Sequence, residues 1–179
     1  MPCAKALRSL LAVAVVLIAI FNAAYSHAQG FEVLPWPPGK AVPTTVGVDA
    51  QGRTVLLKEL RGKAVLINFW ASWCEPCTAE MPSLQTAAQQ HGADHLAVLA
   101  VNFKEPGPTV ERFVQRSALT LPVLLDPQGE VARAWGVHVF PTTVLLGADG
   151  RVRRVVRGPL DWTGSQANAL IESVLSKRK

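Results

Sequence analysis

One stretch constrains this chain more than any other. Ala64 to Trp70, apolar apart from Asn68, runs without a break into Ala71-Ser72-Trp73-Cys74-Glu75-Pro76-Cys77. The run is too short for a stable helix and rich in β-formers, so it reads as a strand covered on both faces. A helical pattern then continues to about His91. Pro76 suits its first turn, where a missing N–H is not needed, and Pro82, one to two turns further on, is expected to kink it. A cysteine pair thus stands where a buried strand hands over to a helix N-terminus.

The rest of the chain supplies partners for that strand. Residues 29–40 are Pro-rich and read as an extended linker ahead of a domain spanning 41–179. Val42 to Asp49 and Arg53 to Leu57 read as a hairpin turning around Asp49-Ala50-Gln51-Gly52. His95 to Asn102 and Leu121 to Leu125 read as further strands, and Thr109 to Ser117 and Glu130 to Trp135 as short helices. Phe140 to Leu146, Asp149-Gly150 and Arg151 to Arg157 form a second hairpin signal, and an amphipathic helix over Trp162 to Lys177 closes the chain. Strands alternating with helices predict an α/β domain with a central mixed sheet flanked by helices and an N-terminal hairpin extension.

The compartment follows from the first 28 residues. Lys5 and Arg8 precede an apolar run from Leu10 to Phe21, and Ser26-His27-Ala28 places small residues where a signal peptidase reads. Cleavage is expected after Ala28; if the leader were kept it would anchor the protein to a membrane, although Asn22 interrupts the run and about 20 apolar residues are wanted to span a bilayer. The leader accounts for much of the mean hydropathy of +0.22. Losing Lys5 and Arg8 lowers the net charge of +5 by two, which leaves no nucleic-acid footprint. Cys3 leaves with the leader, so the mature chain keeps Cys74 and Cys77 and works in an oxidising, periplasmic or otherwise extracytoplasmic compartment.

The position of the pair points to its chemistry. Unpaired N–H groups and partial positive charge at a helix N-terminus stabilise a thiolate. Cys74, at the start, is therefore the candidate attacker, and Cys77, one turn in, the thiol that resolves a mixed disulfide. A staple is a poor alternative: closing a four-residue loop contributes roughly 2 kcal/mol, against roughly 4.7 for a 100-residue loop. The spacing Cys74-x2-Cys77-x13-His91-x3-His95 matches a zinc site, but Pro82 and Gly92 interrupt the segment carrying the histidines, so no metal is expected. A peroxiredoxin-type peroxidase would want Pro and Thr or Ser before the reactive cysteine, where Phe69 and Ala71 stand. A copper-delivery module would use both thiols with a histidine such as His138, but copper carriers of this kind space their cysteines by three residues rather than two.

The segment Phe69-Trp70-Ala71-Ser72-Trp73-Cys74-Glu75-Pro76-Cys77 resembles the active-site segment of the thioredoxin superfamily, and the likeness extends across the mature chain. The following Glu80-Met81-Pro82, the N-terminal hairpin and the leader make it similar to the TlpA/ResA-like branch, which includes CcmG-type cytochrome c maturation thioredoxins. The resemblance implies a thioredoxin-like fold and an extracytoplasmic thiol-disulfide oxidoreductase, usually reductive, with no cofactor beyond the Cys74-Cys77 pair. It implies oxidised client proteins, apocytochrome c among them, a membrane electron donor of DsbD/CcdA type, and a monomer. It makes Pro141, in Val139-Phe140-Pro141-Thr142, the family's cis-proline, with Trp73, Glu75, Pro76, Phe140 and Thr142 beside it where a partner docks. Trp73 would there shield the flank of the disulfide. The buried aspartate of classical thioredoxin would fall at Asn68, which cannot take a proton. Glu80, three residues after Cys77 on the same helical face, is the candidate base instead.

Overall fold

The computed structural model describes residues 30–176. In chain order the strands are β1 Glu32–Leu34, β2 Thr45–Val48, β3 Thr54–Leu56, β4 Ala64–Trp70, β5 Leu96–Phe103, β6 Val123–Asp126, β7 Thr142–Leu146 and β8 Val152–Arg157. The helices are α1 Glu75–His91, α2 Gly107–Ser117, α3 Glu130–Trp135 and α4 Ser165–Leu175, with one 3-10 turn over Leu57–Leu60. Among the described residues these strands form one mixed sheet in the order β1-β8-β7-β4-β5-β6-β2-β3. Strand β4 lies parallel to β5 and antiparallel to β7.

Every residue of β4 is buried, as a strand covered on both faces requires. Alternation along the strand splits its side chains between two layers. Leu66 and Trp70 pack with Cys77, Met81 and Leu84 of α1, Ile171 of α4, and Trp162. Val65, Ile67 and Phe69 face the opposite way, onto Val144 and Trp135. Asn68 falls on the α1 side of that alternation, and this parity decides what it meets.

Helix α1 buries Cys77, Glu80, Met81, Leu84 and Ala87, a stripe at three- and four-residue spacing. It runs through Pro82 to His91, so the proline does not end it. Gly92 closes it at φ +72, a conformation that suits glycine, with its N–H on the Ala88 carbonyl at 3.1 Å. The two hairpins read from sequence are present with shorter strands, β2 with β3 and β7 with β8. Within the expected linker, Glu32–Leu34 pairs antiparallel with β8 and extends the sheet edge, and the chain turns at Pro37 to Lys40, where the Lys40 N–H donates to the Pro37 carbonyl at 3.2 Å. The leader and the C-terminal Lys177-Arg178-Lys179 lie outside the described residues. No helix among the described residues is long and apolar enough to cross a membrane.

Candidate active site

Cys74 is the N-cap residue of α1, with extended backbone at φ −90 and ψ 98. Its N–H donates to the Ala71 carbonyl at 3.2 Å, and its own carbonyl accepts from Thr78 N–H at 3.0 Å. Pro76 stands in the first helical turn, so the missing donor is one that helix would not have used. Cys74 and Cys77 are joined by a disulfide, with Cα atoms 5.2 Å apart. Both cysteines are buried in the disulfide form, Cys74 keeping 7% of its surface and Cys77 none, so Cys74 is the more accessible of the two but not an exposed residue.

Glu80 lies on the same buried stripe as Cys77 and is only 5% exposed, so it is not a solvated helix carboxylate. Its Oε1 accepts from Asn68 Nδ2 at 2.7 Å and its Oε2 from the Leu160 backbone N–H at 3.1 Å. Asn68 Nδ2 also donates to Thr143 Oγ1 at 2.9 Å. Burial pushes the Glu80 carboxyl up from 4.5 to about 7. The Leu160 and Asn68 donors oppose that rise, and the Trp162 indole N–H pulls weakly the same way without completing a hydrogen bond. A carboxyl near 7 can take and return a proton at neutral pH.

Across the site the Phe140-Pro141 peptide bond is cis. Phe140 bridges the two loops: its ring stands edge-on to Trp73 with centroids 6.3 Å apart and lies against Phe103 at 4.7 Å. Val139, the residue before Phe140, is exposed, and so is Trp73, at 65%. Glu75 and Pro76 are exposed beside it, as a docking surface needs. Pro141 and Thr142 are buried. The Thr142 hydroxyl donates to the Val139 carbonyl at 2.7 Å, so that side chain braces the loop.

The remaining candidates scatter. His91 ends α1, His95 precedes β5, and His138 is exposed in the loop before Pro141. Sequence reasoning missed two contributors. Leu160 acts through its backbone N–H, which no side-chain pattern signals, and Glu105, described below, is 33 residues from the turn it touches.

The sequence profile of the family described as Redoxin matches residues 37–171. The chain belongs to that family. It is 38% identical over 122 residues to the thiol-disulfide oxidoreductase ResA of Geobacillus thermodenitrificans, a match covering 68% of this chain and 70% of the relative. To the thiol-disulfide oxidoreductase ResA of Bacillus subtilis it is 32% identical over 141 residues, covering 79% and 76%. Among solved structures, a thioredoxin-family thiol:disulfide interchange protein of Chlorobium tepidum superposes with a TM-score of 0.63 at 25% identity, covering 76% of this chain and 99% of that one. The fold is thioredoxin-like, and the Cys74-Cys77 pair is that of a thiol-disulfide oxidoreductase acting on redox partner proteins.

Proposed function

We propose that this thiol-disulfide oxidoreductase works reductively outside the cytoplasm, opening disulfides in partner proteins, with the CXXCH pair of apocytochrome c as its client class. The observation that carries the reading is Glu80, buried on the face of Cys77 with a carboxyl near 7. In the reduced protein the Cys74 thiolate attacks a partner disulfide, forming a mixed disulfide and releasing one partner thiolate. Glu80 takes the Cys77 proton, and the Cys77 thiolate attacks Cys74 Sγ. The second partner sulfur leaves as a thiolate and receives a proton from Glu80. Two electrons pass to the partner, and Cys74-Cys77 closes.

The direction is argued from charge. A disulfide is a strong oxidant when its dithiol form is stabilised. Here the exposed Glu75 lies between the cysteines, and negative charge near a thiolate disfavours it. The disulfide is favoured, so the dithiol gives up its electrons readily. Re-reduction in an oxidising compartment then calls for a membrane electron donor of DsbD/CcdA type. The pair needs no cofactor, the protein acts as a monomer, and the leader directs it to the periplasm or an equivalent space, anchoring it there if Ala28 is not cleaved. Equilibration against glutathione tests the direction: a strongly reducing potential is expected, and a value at the strongly oxidising end overturns the reading.

A further inference from the structure

A second buried carboxylate takes no part in the exchange chemistry above. Glu105 follows β5 by two residues, after Lys104 at φ +57, and is 8% exposed. Its Oε2 accepts from the Ser72 backbone N–H at 2.7 Å and from Asn102 Nδ2 at 2.7 Å. Its Oε1 accepts from the Ser72 hydroxyl at 2.5 Å. All three partners are donors, and two belong to Ser72, the middle of the three residues between the end of β4 and Cys74. Ser72 is also flanked by Ala71, whose carbonyl holds the Cys74 N–H at 3.2 Å. Asn102 is the β5 partner of Trp70, the last residue of β4, so the carboxylate ties the cysteine turn back to the neighbouring strand where β4 ends.

We propose that Glu105 is the positioning residue of the cysteine turn: through its two bonds to Ser72 it holds Cys74 at the head of α1 in the orientation that attack on a partner disulfide requires. The inference rests on the exchange reaction proposed above. It is a claim about geometry, and the contacts allow charge and geometry to be separated. In Glu105→Gln the amide oxygen can sit at the Oε2 position and accept from the Ser72 and Asn102 N–H groups. The amide nitrogen can then donate to the Ser72 hydroxyl, which serves as acceptor as well as donor. The charge is lost and the three contacts stay. Glu105→Ala loses all three, and Ser72→Ala loses one.

Exchange of the reduced full chain with a synthetic peptide closed by a Cys-x-x-Cys disulfide, followed as a function of pH, reads the effect. Iodoacetamide alkylation of Cys74 provides the reference for thiolate population. Misplacing a reacting group is costly for in-line attack and matters little for alkylation by a small freely diffusing reagent, so Glu105→Ala is expected to lower the high-pH limit of exchange at least about tenfold with alkylation there unchanged. Glu105→Gln should exchange close to the wild-type limit, and Ser72→Ala should fall between. If Glu105→Ala does not fold, Ser72→Ala carries the test. Wild-type exchange by Glu105→Ala, or by Ser72→Ala in its place, overturns the proposal. So does a Glu105→Gln variant as slow as Glu105→Ala, which would assign the effect to charge. Failure of the unsubstituted chain to exchange would sink the activity itself and is read separately.

Discussion

Replacing Glu80 with glutamine should stabilise the oxidised protein progressively as pH rises. The folded carboxyl holds its proton more tightly than the unfolded one, with its pKa raised from 4.5 to about 7 by burial. At about 1.4 kcal/mol for each tenfold change in proton affinity, the difference amounts to about 3 kcal/mol. Because the folded value is the higher one, this contribution to stability is fully present below about pH 4.5 and is lost as pH climbs through about 7. A glutamine does not titrate, so the variant keeps what the wild type loses. It also fits. Asn68 Oδ1 is buried without a hydrogen-bond partner among the described residues, and turning the Asn68 amide over would let that oxygen accept from the introduced amide N–H. The oxygen of the introduced amide then keeps the Leu160 N–H. Urea unfolding of both oxidised proteins at about pH 4 and about pH 8 measures the effect, and every other titrating group cancels in the comparison. The stability difference should move toward the variant by about 3 kcal/mol between the two conditions. A difference independent of pH would refute the assignment of a raised carboxyl to Glu80, and with it the proton transfer to and from Cys77.

The nucleophile assignment predicts that Cys77→Ala accumulates mixed disulfides with partner proteins and Cys74→Ala does not, read on non-reducing gels; equal trapping by both would reverse or remove it. Trp73→Ala should cost less than about 1 kcal/mol in stability, because the ring is mostly exposed, while raising KM for a protein disulfide far more than for a small one. A matched rise for both substrates would remove Trp73 from the docking surface.

Much of the site could be read locally because its parts are local. The strand-to-helix junction, the two cysteines and Glu80 lie within one short segment, and the i, i+3 relation of Cys77 and Glu80 places them on one helix face whatever surrounds it. The hairpins declared themselves through Asp49 to Gly52 and Asp149-Gly150. Boundaries were less legible: the closing helix begins at Ser165 and not at Trp162, because Trp162 is held by the Ser83 hydroxyl at its N–H and buried in the core before the helix starts. Glu105 was invisible for a different reason. A carboxylate between Lys104 and Pro106 looks like an ordinary surface loop until β5 is laid beside β4 and its end is brought to Ser72.

By itself the sequence determined the order of strands and helices from β2 onward, the placing of Cys74 at a helix head, and the chemistry available to a thiol there, since periodicity and helix-end electrostatics act over a few residues; β1, read as linker, becomes a strand only by pairing with β8. Only the tertiary structure decided which groups would be taken out of water together. Glu80 has an ordinary carboxyl in an isolated helix. It becomes a proton carrier because β4 presents Asn68 on the same side, the segment after β8 brings the Leu160 N–H across α1, and the packed layer excludes solvent around it. Trp73 likewise has an aromatic neighbour because Phe140, far along the chain, occupies the place beside it. Desolvation is a property of the assembled layers, and no short window of sequence carries it.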